Sequence, residues 1–263
     1  MNGIVDTGTG TPMVLIPGLQ GRWEWMRPTV DALAKHYRVI TFSLCDERSS
    51  GFPCDPGKGF DNFVEQVDLA LDRAGVKSAV IVGVSYGGLI AAEYAARRPQ
   101  RVSGLVLASA LHKTWEPDAR QQRYLRAPLL LSPLFVATAP LRLHPEIAAA
   151  LPTLVARFRF SAWHSARAVL SPTTPWRMAR RIEWARSHHF AAAQSVNAPT
   201  LVVTGEPLLD RVLPVDVTRR YLDDFRSARH VVLERTGHLG SVTRPDEFAG
   251  LLGRFVDGVR RCA

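Results

Sequence analysis

The first 110 residues alternate between short strand-like runs and longer helix-like stretches, and this alternation limits the possible folds more than any other feature. The run 79–82 is apolar throughout, as expected of a strand that is covered on both faces. In the stretch 60–74, apolar residues recur at helical spacing until Gly75 ends the pattern. Such alternation predicts a mostly parallel sheet with helices on both faces. The predicted strands are 13–16, 37–42, 79–82 and 102–108, and the predicted helices are 23–34, 60–74 and 89–98.

The segment 111–198 interrupts this pattern. It contains many prolines and no convincing strand, so we expect several short helices broken by proline. The alternation then resumes with strands at 200–204 and 230–233 and helices at 215–224 and 247–260. The chain is therefore expected to form one α/β core from residues 1–110 and 199–263, with an inserted α-helical cap, or lid, at 111–198.

The positive charge of the chain is concentrated in the same segment. The formal net charge is +9, and residues 111–198 hold 12 Lys/Arg against 4 Asp/Glu, a net of +8. A solvated arginine-rich face, recognition of an anionic substrate, and binding to nucleic acid or a membrane surface are three competing explanations. We expect no nucleic-acid partner, because the segment contains no recognised nucleic-acid module. The clustered arginines are Arg157, Arg159, Arg177, Arg180 and Arg181.

Several features favour a cytoplasmic protein without a metal site. No apolar run reaches 18 residues without a charge or turn signal, so we expect no membrane span. The first ten residues lack the basic and apolar regions of a signal peptide. Cys45, Cys54 and Cys262 are an odd number of cysteines and do not have the spacing of metal ligands, which favours reduced thiols.

Residues 83–87 form the pentapeptide Gly-Val-Ser-Tyr-Gly, a G-x-S-x-G pattern with Ser85 at its centre. The pattern alone is weak, but here it follows a predicted strand and opens a predicted helix. A serine on so sharp a turn adopts a strained backbone, and its neighbours two residues away must lack a bulky Cβ. The turn would present the Ser85 hydroxyl beside a helix N-terminus, which favours a developing oxyanion.

This strand–turn–helix pentapeptide resembles the nucleophile elbow of the α/β-hydrolase family, and the resemblance extends over the whole chain apart from the insertion. It implies the α/β-hydrolase fold and a triad in the chain order serine, acid, histidine. It also implies chemistry without a metal or organic cofactor.

His238 is the candidate base. It stands in the loop Thr236-Gly237-His238-Leu239 directly after a late predicted strand, like the loop that carries the family's base. A serine hydroxyl needs such an imidazole to take its proton. The other seven histidines lie in the insertion or beside strands, and among them His112 could approach the site.

Asp210 is the candidate acid. The stretch 210–214 resembles the family's D-x-x-x-P segment, although the gap from Gly205 is about two residues longer than usual. This departure leaves Glu206 as a competitor, with Asp216 further behind. A carboxylate here would hold His238 in the required tautomer. The alternative role of Asp210 is to cap the following helix.

The resemblance also implies an oxyanion hole formed by two backbone N–H groups. One belongs to Tyr86, the residue after the nucleophile. The other is that of Leu19, in a loop 16–21 that has Pro17 in place of the family's histidine. A further family segment is only faintly echoed by residues 46–51, to which we assign no chemistry.

The insertion would form a lid over Ser85. Its apolar run 128–136, which includes Phe135 and Val136, and its four tryptophans could line an acyl or alcohol pocket, or could form the lid's own core and its seam with the main domain. The tryptophans are Trp115, Trp163, Trp176 and Trp184.

The sequence thus predicts a serine hydrolase, first a carboxylesterase acting on a small acyl ester. Lactonase, thioesterase, carbon–carbon bond hydrolase, perhydrolase and acyltransferase activities remain open, because they use the same constellation. Ser85 argues against haloalkane dehalogenase and epoxide hydrolase chemistry, for which the family uses an aspartate. A non-catalytic small-molecule-binding protein on this fold is the alternative from another class. The oligomeric state is not predicted.

Overall fold

Seven strands form one sheet at the centre of the molecule, which a computed structural model describes for residues 3–193 and 196–262. The strand order is β1-β3-β2-β4-β5-β6-β7. Strand β1 runs antiparallel to β3, and every other neighbouring pair is parallel. The strands are β1 (Val5–Thr7), β2 (Pro12–Ile16), β3 (Arg38–Thr41), β4 (Ala79–Val84), β5 (Val102–Ala108), β6 (Thr200–Thr204) and β7 (Ala228–Val232).

Helices cover both faces of this sheet, as the sequence predicts. The helices of the described residues, including those of the insertion, are α1 (Arg27–Leu33), α2 (Asp61–Arg73), α3 (Tyr86–Arg97), α4 (Ala119–Arg126), α5 (Pro128–Ala137), α6 (Ala139–Ala150), α7 (Leu154–Leu170), α8 (Pro175–Ser187), α9 (Val215–Arg219), α10 (Tyr221–Asp224), α11 (Gly240–Thr243) and α12 (Pro245–Cys262). None of the helices within the described ranges is both long and apolar enough to cross a membrane.

The apolar run in β4 is buried on both sides, because successive side chains of a strand point to opposite faces. Ile81 packs in the cluster beneath α2 and α3. Val80 and Val82 pack in a second cluster with residues of α1 and α12. This arrangement explains why the run shows no alternation of apolar and polar residues.

Several predicted elements differ from those observed. The predicted helix 23–34 begins as a 3-10 turn, Trp23–Met26, and the predicted helix 215–224 is split into α9 and α10. Strand β1 and helix α11 were not predicted. The insertion consists of several helices and no strand within its described residues, as predicted, but α7 is not short, at 17 residues, and Pro145 lies inside α6 without ending it. Proline instead begins α5 and α8, at the position where its missing N–H costs nothing.

A buried ion-pair cluster joins the inserted helix α8 to the loop after β3. Arg181 is fully buried, and its guanidinium lies 2.7 Å from an oxygen of Asp46 and 2.5 Å from one of Glu47. Arg177 pairs with Glu47 at 3.1 Å, and Arg180 lies 3.6 Å from Asp46. The explanation of the clustered arginines as a solvated face is therefore wrong for Arg177 and Arg181, which neutralise core carboxylates.

Replacing Asp46 with alanine should lower the free energy of unfolding by about 3 kcal/mol, because it leaves part of the buried Arg181 charge unpaired. Urea unfolding followed by circular dichroism measures this change. The matched control is Glu65→Ala, which removes an exposed ion pair with Lys58 and should lower the free energy of unfolding much less, because solvent screens exposed charges. Equal costs for the two variants would contradict a structural role for the buried cluster.

Candidate active site

Ser85 lies at the turn between β4 and α3 with a left-handed backbone, φ 55° and ψ −121°. A non-glycine residue adopts this region only where its surroundings hold it there. The Ser85 N–H donates to the carbonyl of Ala108 at 2.9 Å, and its carbonyl accepts from the N–H groups of Gly88 and Leu111, each at 2.9 Å. The end of the neighbouring strand β5 and the start of the insertion thus fix the strained turn.

The two glycines of the pentapeptide allow close packing around this turn. A Cβ at Gly83 would collide with the backbone of Gly87, and a Cβ at Gly87 would collide with the carbonyl of Ile16. The loop that follows β2 can therefore lie directly against the turn. The steric reason for glycine on both sides of Ser85 agrees with the geometry.

His238 and Asp210 meet Ser85 in a hydrogen-bonded row. His238 Nε2 lies 3.1 Å from Ser85 Oγ, and His238 Nδ1 lies 3.3 Å from Asp210 Oδ2. The three residues come from three separate turns at the carboxyl edge of the sheet: after β4, after β6 and after β7. The structure thus brings together the serine, acid and histidine that the sequence singles out.

Asp210 is oriented by its own loop. Its Oδ1 accepts the backbone N–H groups of Val212 at 3.0 Å and Leu213 at 2.9 Å, which leaves Oδ2 for His238. Both competing carboxylates are engaged elsewhere. Glu206 accepts the N–H of Arg235 at 2.6 Å, and the exposed Asp216 lies beside Arg219. Asp210 therefore closes a turn within its own loop. It does not cap α9, whose N-cap residue is Pro214.

His112 is not part of this row. Its ring lies between Thr114, at 2.8 Å, and Asp224, at 3.1 Å. Burial lowers its pKa more than Asp224 raises it. Its ring nitrogens are therefore engaged by Thr114 and Asp224 and not by Ser85 or Asp210.

The electrostatics of the row suit a base and its orienting acid. Burial alone would lower the pKa of His238, but the charge of Asp210, their hydrogen bond and the charge of Glu146 together raise it above its ordinary value. Burial alone would raise the pKa of Asp210, but the same pairing and the N–H groups of Leu213 and Val212 lower it. Asp210 stays ionised and stabilises an imidazolium beside it.

Glu146, on the inserted helix α6, is a site residue that the sequence did not reveal. Its side chain is buried, and its Oε1 accepts the N–H of Gly237 at 2.8 Å and that of Leu239 at 2.6 Å. It therefore clamps the loop 236–239 on both sides of His238. Burial raises the pKa of Glu146 to about 7, despite these hydrogen bonds and the nearby His238. The only available signal was that Glu146 is the sole acidic residue between Asp118 and Glu183.

Leu19 and Tyr86, whose N–H groups are the two predicted oxyanion donors, belong to segments that adjoin Ser85: Tyr86 follows it in the chain, and Leu19 follows Gly18 in the loop after β2. A Cβ at Gly18 would lie 3.3 Å from the Cβ of Ser85, so this loop contacts the serine. The Leu19 carbonyl accepts from Arg181 Nη1 at 2.6 Å, and the Tyr86 hydroxyl donates to the Arg181 carbonyl at 2.8 Å. Asp46 and Glu47, to which the sequence assigned no role, hold this arginine in place.

Three of the four tryptophans of the insertion lie at its seam with the core, the second of the two roles that the sequence left open. Trp115 and Trp184 pack against the cluster beneath α2 and α3, and Trp163 packs against the opposite one, as expected of a seam between insertion and core. Trp176 is exposed and has Arg177 and Arg180 over its ring. In the run 128–136, Leu129, Leu130 and Leu134 are exposed, while the side chains of Phe135 and Val136 lie outside the described part of the chain.

Within residues 3–193 and 196–262, no group of three or more histidine, cysteine, aspartate or glutamate side chains is arranged to hold a metal ion. Cys45, in the loop after β3, is buried, and Cys54 is partly exposed beside it.

Known proteins similar to this chain include hydrolases. A protein of Pseudomonas sp. (strain CF600) named 2-hydroxymuconate semialdehyde hydrolase is 28% identical over 264 residues, which cover 95% of this chain and 88% of that protein. A protein of Azorhizobium caulinodans, provisionally named carbamate hydrolase RutD, is 30% identical over 141 residues. That match covers 52% of this chain and 52% of the relative, about half of its length.

The fold is also found among solved structures and family profiles. A bromoperoxidase from Bacillus anthracis superposes with a TM-score of 0.76 at 22% identity, covering 97% of this chain and 94% of that chain. The profile of the alpha/beta hydrolase fold matches residues 11–245. The match covers most of the chain and includes Ser85, Asp210 and His238, and the chain belongs to the α/β-hydrolase family.

Proposed function

We propose that this hydrolase is a carboxylesterase that cleaves small acyl esters through an acyl-enzyme on Ser85. The observation that carries the proposal is the row Ser85–His238–Asp210, with hydrogen-bond distances of 3.1 and 3.3 Å, on a strained turn at a helix N-terminus. A nucleophile within reach of a base, and a base oriented by an acid, are the requirements for nucleophilic acyl transfer.

In the proposed mechanism, Ser85 Oγ attacks the ester carbonyl as its proton passes to His238 Nε2. The carbonyl oxygen becomes negative and accepts the N–H groups of Leu19 and Tyr86. His238 then gives the proton to the departing alcohol, which leaves the acyl group on Ser85. A water molecule, activated by His238, attacks this acyl-enzyme and releases the acid. Asp210 keeps the Nδ1 proton of His238 in place throughout.

We propose that residues 111–198 form a cap on the core made by 1–110 and 199–263. Two contacts between the insertion and the core support this proposal. Glu146 of α6 holds the loop 236–239, and Arg181 of α8 holds the loop that carries Leu19. The cap would thereby position both the base and one oxyanion donor. The proposed chemistry requires no cofactor or metal, and we expect the enzyme to act in the cytoplasm.

Other substrates fit the same row of side chains. Lactone, thioester and carbon–carbon bond hydrolysis, perhydrolysis and acyl transfer share the first step. The relative named 2-hydroxymuconate semialdehyde hydrolase gives a specific reason to test that compound, since it is 28% identical over 95% of this chain. A binding protein without activity would have no need for an imidazole held between Ser85 and Asp210.

Ester hydrolysis by wild-type protein should be lost in Ser85→Ala and lowered roughly 10³- to 10⁴-fold in Asp210→Asn, which imposes the wrong tautomer on His238. The measurement is kcat/KM on p-nitrophenyl esters with short and medium acyl chains. Ser109→Ala is the matched control, because Ser109 has φ 42° at the end of the neighbouring strand but lies outside the row. Turnover that survives Ser85→Ala would refute the proposed nucleophile.

The pH dependence of kcat/KM should report the environment of His238. Only neutral His238 can take the serine proton, so kcat/KM rises with pH through a His238 pKa that lies above the ordinary value. Glu146→Gln keeps an Oε1 acceptor for both loop N–H groups but removes the negative charge. This variant should shift the acidic limb to lower pH with little change in its plateau.

Glu146→Ala removes the hydrogen bonds as well and should lower the plateau of kcat/KM about tenfold or more, since the buried N–H of Gly237 and the partly buried N–H of Leu239 lose their acceptor. Glu65→Ala on the exposed face of α2 serves as the control.

An acidic limb that stays in place in Glu146→Gln would show that the charge of Glu146 does not act on His238.

A further inference from the structure

Exposed large apolar side chains are concentrated on the inserted helices. Of the fourteen such side chains in the described part of the chain, ten lie between residues 129 and 176, which is less than a fifth of the sequence. Leu130 and Leu154 are each 79% exposed, and Phe158 is 74% exposed. The other seven are Leu129, Leu134, Leu141, Val155, Val169, Leu170 and Trp176. Concentration of this kind marks an interaction surface rather than the scattered apolar exposure of any protein.

Helix α7 shows how this surface is built. Its inner side packs against the core, where His164 meets the ring of Trp25 and Trp163 joins the cluster with α1 and α12. On its outer side, Leu154, Phe158 and Val169 share a helical stripe with the exposed Ala162 and Ser165. The helix is thus apolar on both sides, and only one side is covered.

The inserted helices that expose these apolar side chains are also basic and, over residues 119–170, carry no exposed acid. Helices α4 to α7, residues 119–170, contain seven arginines and one acidic residue, Glu146, which is buried against the loop 236–239. Arg120, Arg123 and Arg126 are exposed on α4, and Arg159 is exposed on α7 next in sequence to Phe158. Arginine binds phosphate oxygens through several N–H donors. Leucine and phenylalanine side chains insert at the boundary between lipid headgroups and acyl chains.

We propose that the exposed surface of α4 to α7 binds an anionic phospholipid membrane, with its leucines and Phe158 inserted among the lipids and its arginines on the headgroup phosphates. This mode places the helices in the plane of the interface and needs no spanning segment. It gives both the apolar stripe and the charge a partner, and it is independent of the proposed ester hydrolysis.

Other occupants of this surface match it less well. A second copy of the chain would bring two arginine-rich faces together, and like charges without intervening acids repel. A nucleic acid would satisfy the arginines but would leave the leucines and Phe158 without an apolar partner. An anionic lipid surface satisfies both sets of side chains.

Vesicle co-sedimentation at physiological ionic strength tests the proposal. The full-length chain should bind vesicles of phosphatidylcholine with phosphatidylglycerol at least about tenfold more tightly than vesicles of phosphatidylcholine alone. Leu154→Ser/Phe158→Ser should weaken binding by about tenfold or more, and so should Arg123→Gln/Arg126→Gln. The same experiment with Ser85→Ala protein separates binding from any lipid hydrolysis.

Two matched controls use exposed side chains outside the insertion, in the α/β part of the chain. Leu208→Ser removes a leucine that is 86% exposed, and Arg226→Gln removes an exposed arginine; neither should alter vesicle binding. Absence of binding to the anionic vesicles, or binding that the double variants leave unchanged, would overturn the proposal. A dimer in sedimentation velocity that Leu154→Ser/Phe158→Ser dissociates, without vesicle binding, would assign the surface to a second copy and would also overturn it.

Discussion

The left-handed backbone of Ser85 is the constraint on which the arrangement of the site depends. At φ 55° the chain leaves β4 and enters α3 without an intervening loop, so the serine side chain projects at the carboxyl edge of the sheet. The conformation is costly for a serine, by about 1–3 kcal/mol. It persists because Ala108, Gly88 and Leu111 satisfy its backbone groups and because Gly83 and Gly87 admit the surrounding chain. The loops after β2, β6 and β7 then converge on one hydroxyl.

The inserted helices contribute to this convergence from the outside. Arg181 carries a buried charge between Asp46, Glu47 and the carbonyl of Leu19, while Glu146 accepts the N–H groups on both sides of His238. Both contacts join an inserted helix to a loop that touches Ser85 or its base. Movement of these helices would therefore change the geometry of the site, and we expect the hydrolase to depend on them for more than substrate access.

Much of the fold could be predicted because its signals are local. The runs that became β2, β4 and β5 are apolar over at least four residues and that of β6 over three, and the pentapeptide around Ser85 encodes its turn in five positions. Strand β1 was missed because three residues at the edge of a sheet, two of them polar, carry too little pattern. The row of Ser85, His238 and Asp210 was predicted through family resemblance, since no periodicity links residues that lie 153 and 28 positions apart.

The contacts of the insertion could not be predicted either, because they also join residues that lie far apart in the sequence. Arg181 and Asp46 are 135 positions apart, and composition cannot distinguish a buried arginine from a solvated one. Glu146 reaches its loop across 91 positions, and the outward orientation of Leu154 and Phe158 depends on which side of α7 the core covers. Such long-range pairings are fixed by packing. The charge and apolar content of the insertion could therefore not decide among the explanations that the sequence offered for its arginines and its apolar side chains.

The central claim, that Ser85 is a nucleophile activated by His238, is tested most directly by peptide mass spectrometry after treatment with a fluorophosphonate. The account predicts one stoichiometric adduct on the peptide that contains Ser85. The adduct should be absent in Ser85→Ala and should form much more slowly in His238→Ala, while Ser109→Ala should react like the wild type. An unmodified Ser85 in wild-type protein that hydrolyses esters, or an adduct formed equally fast without His238, would contradict the account.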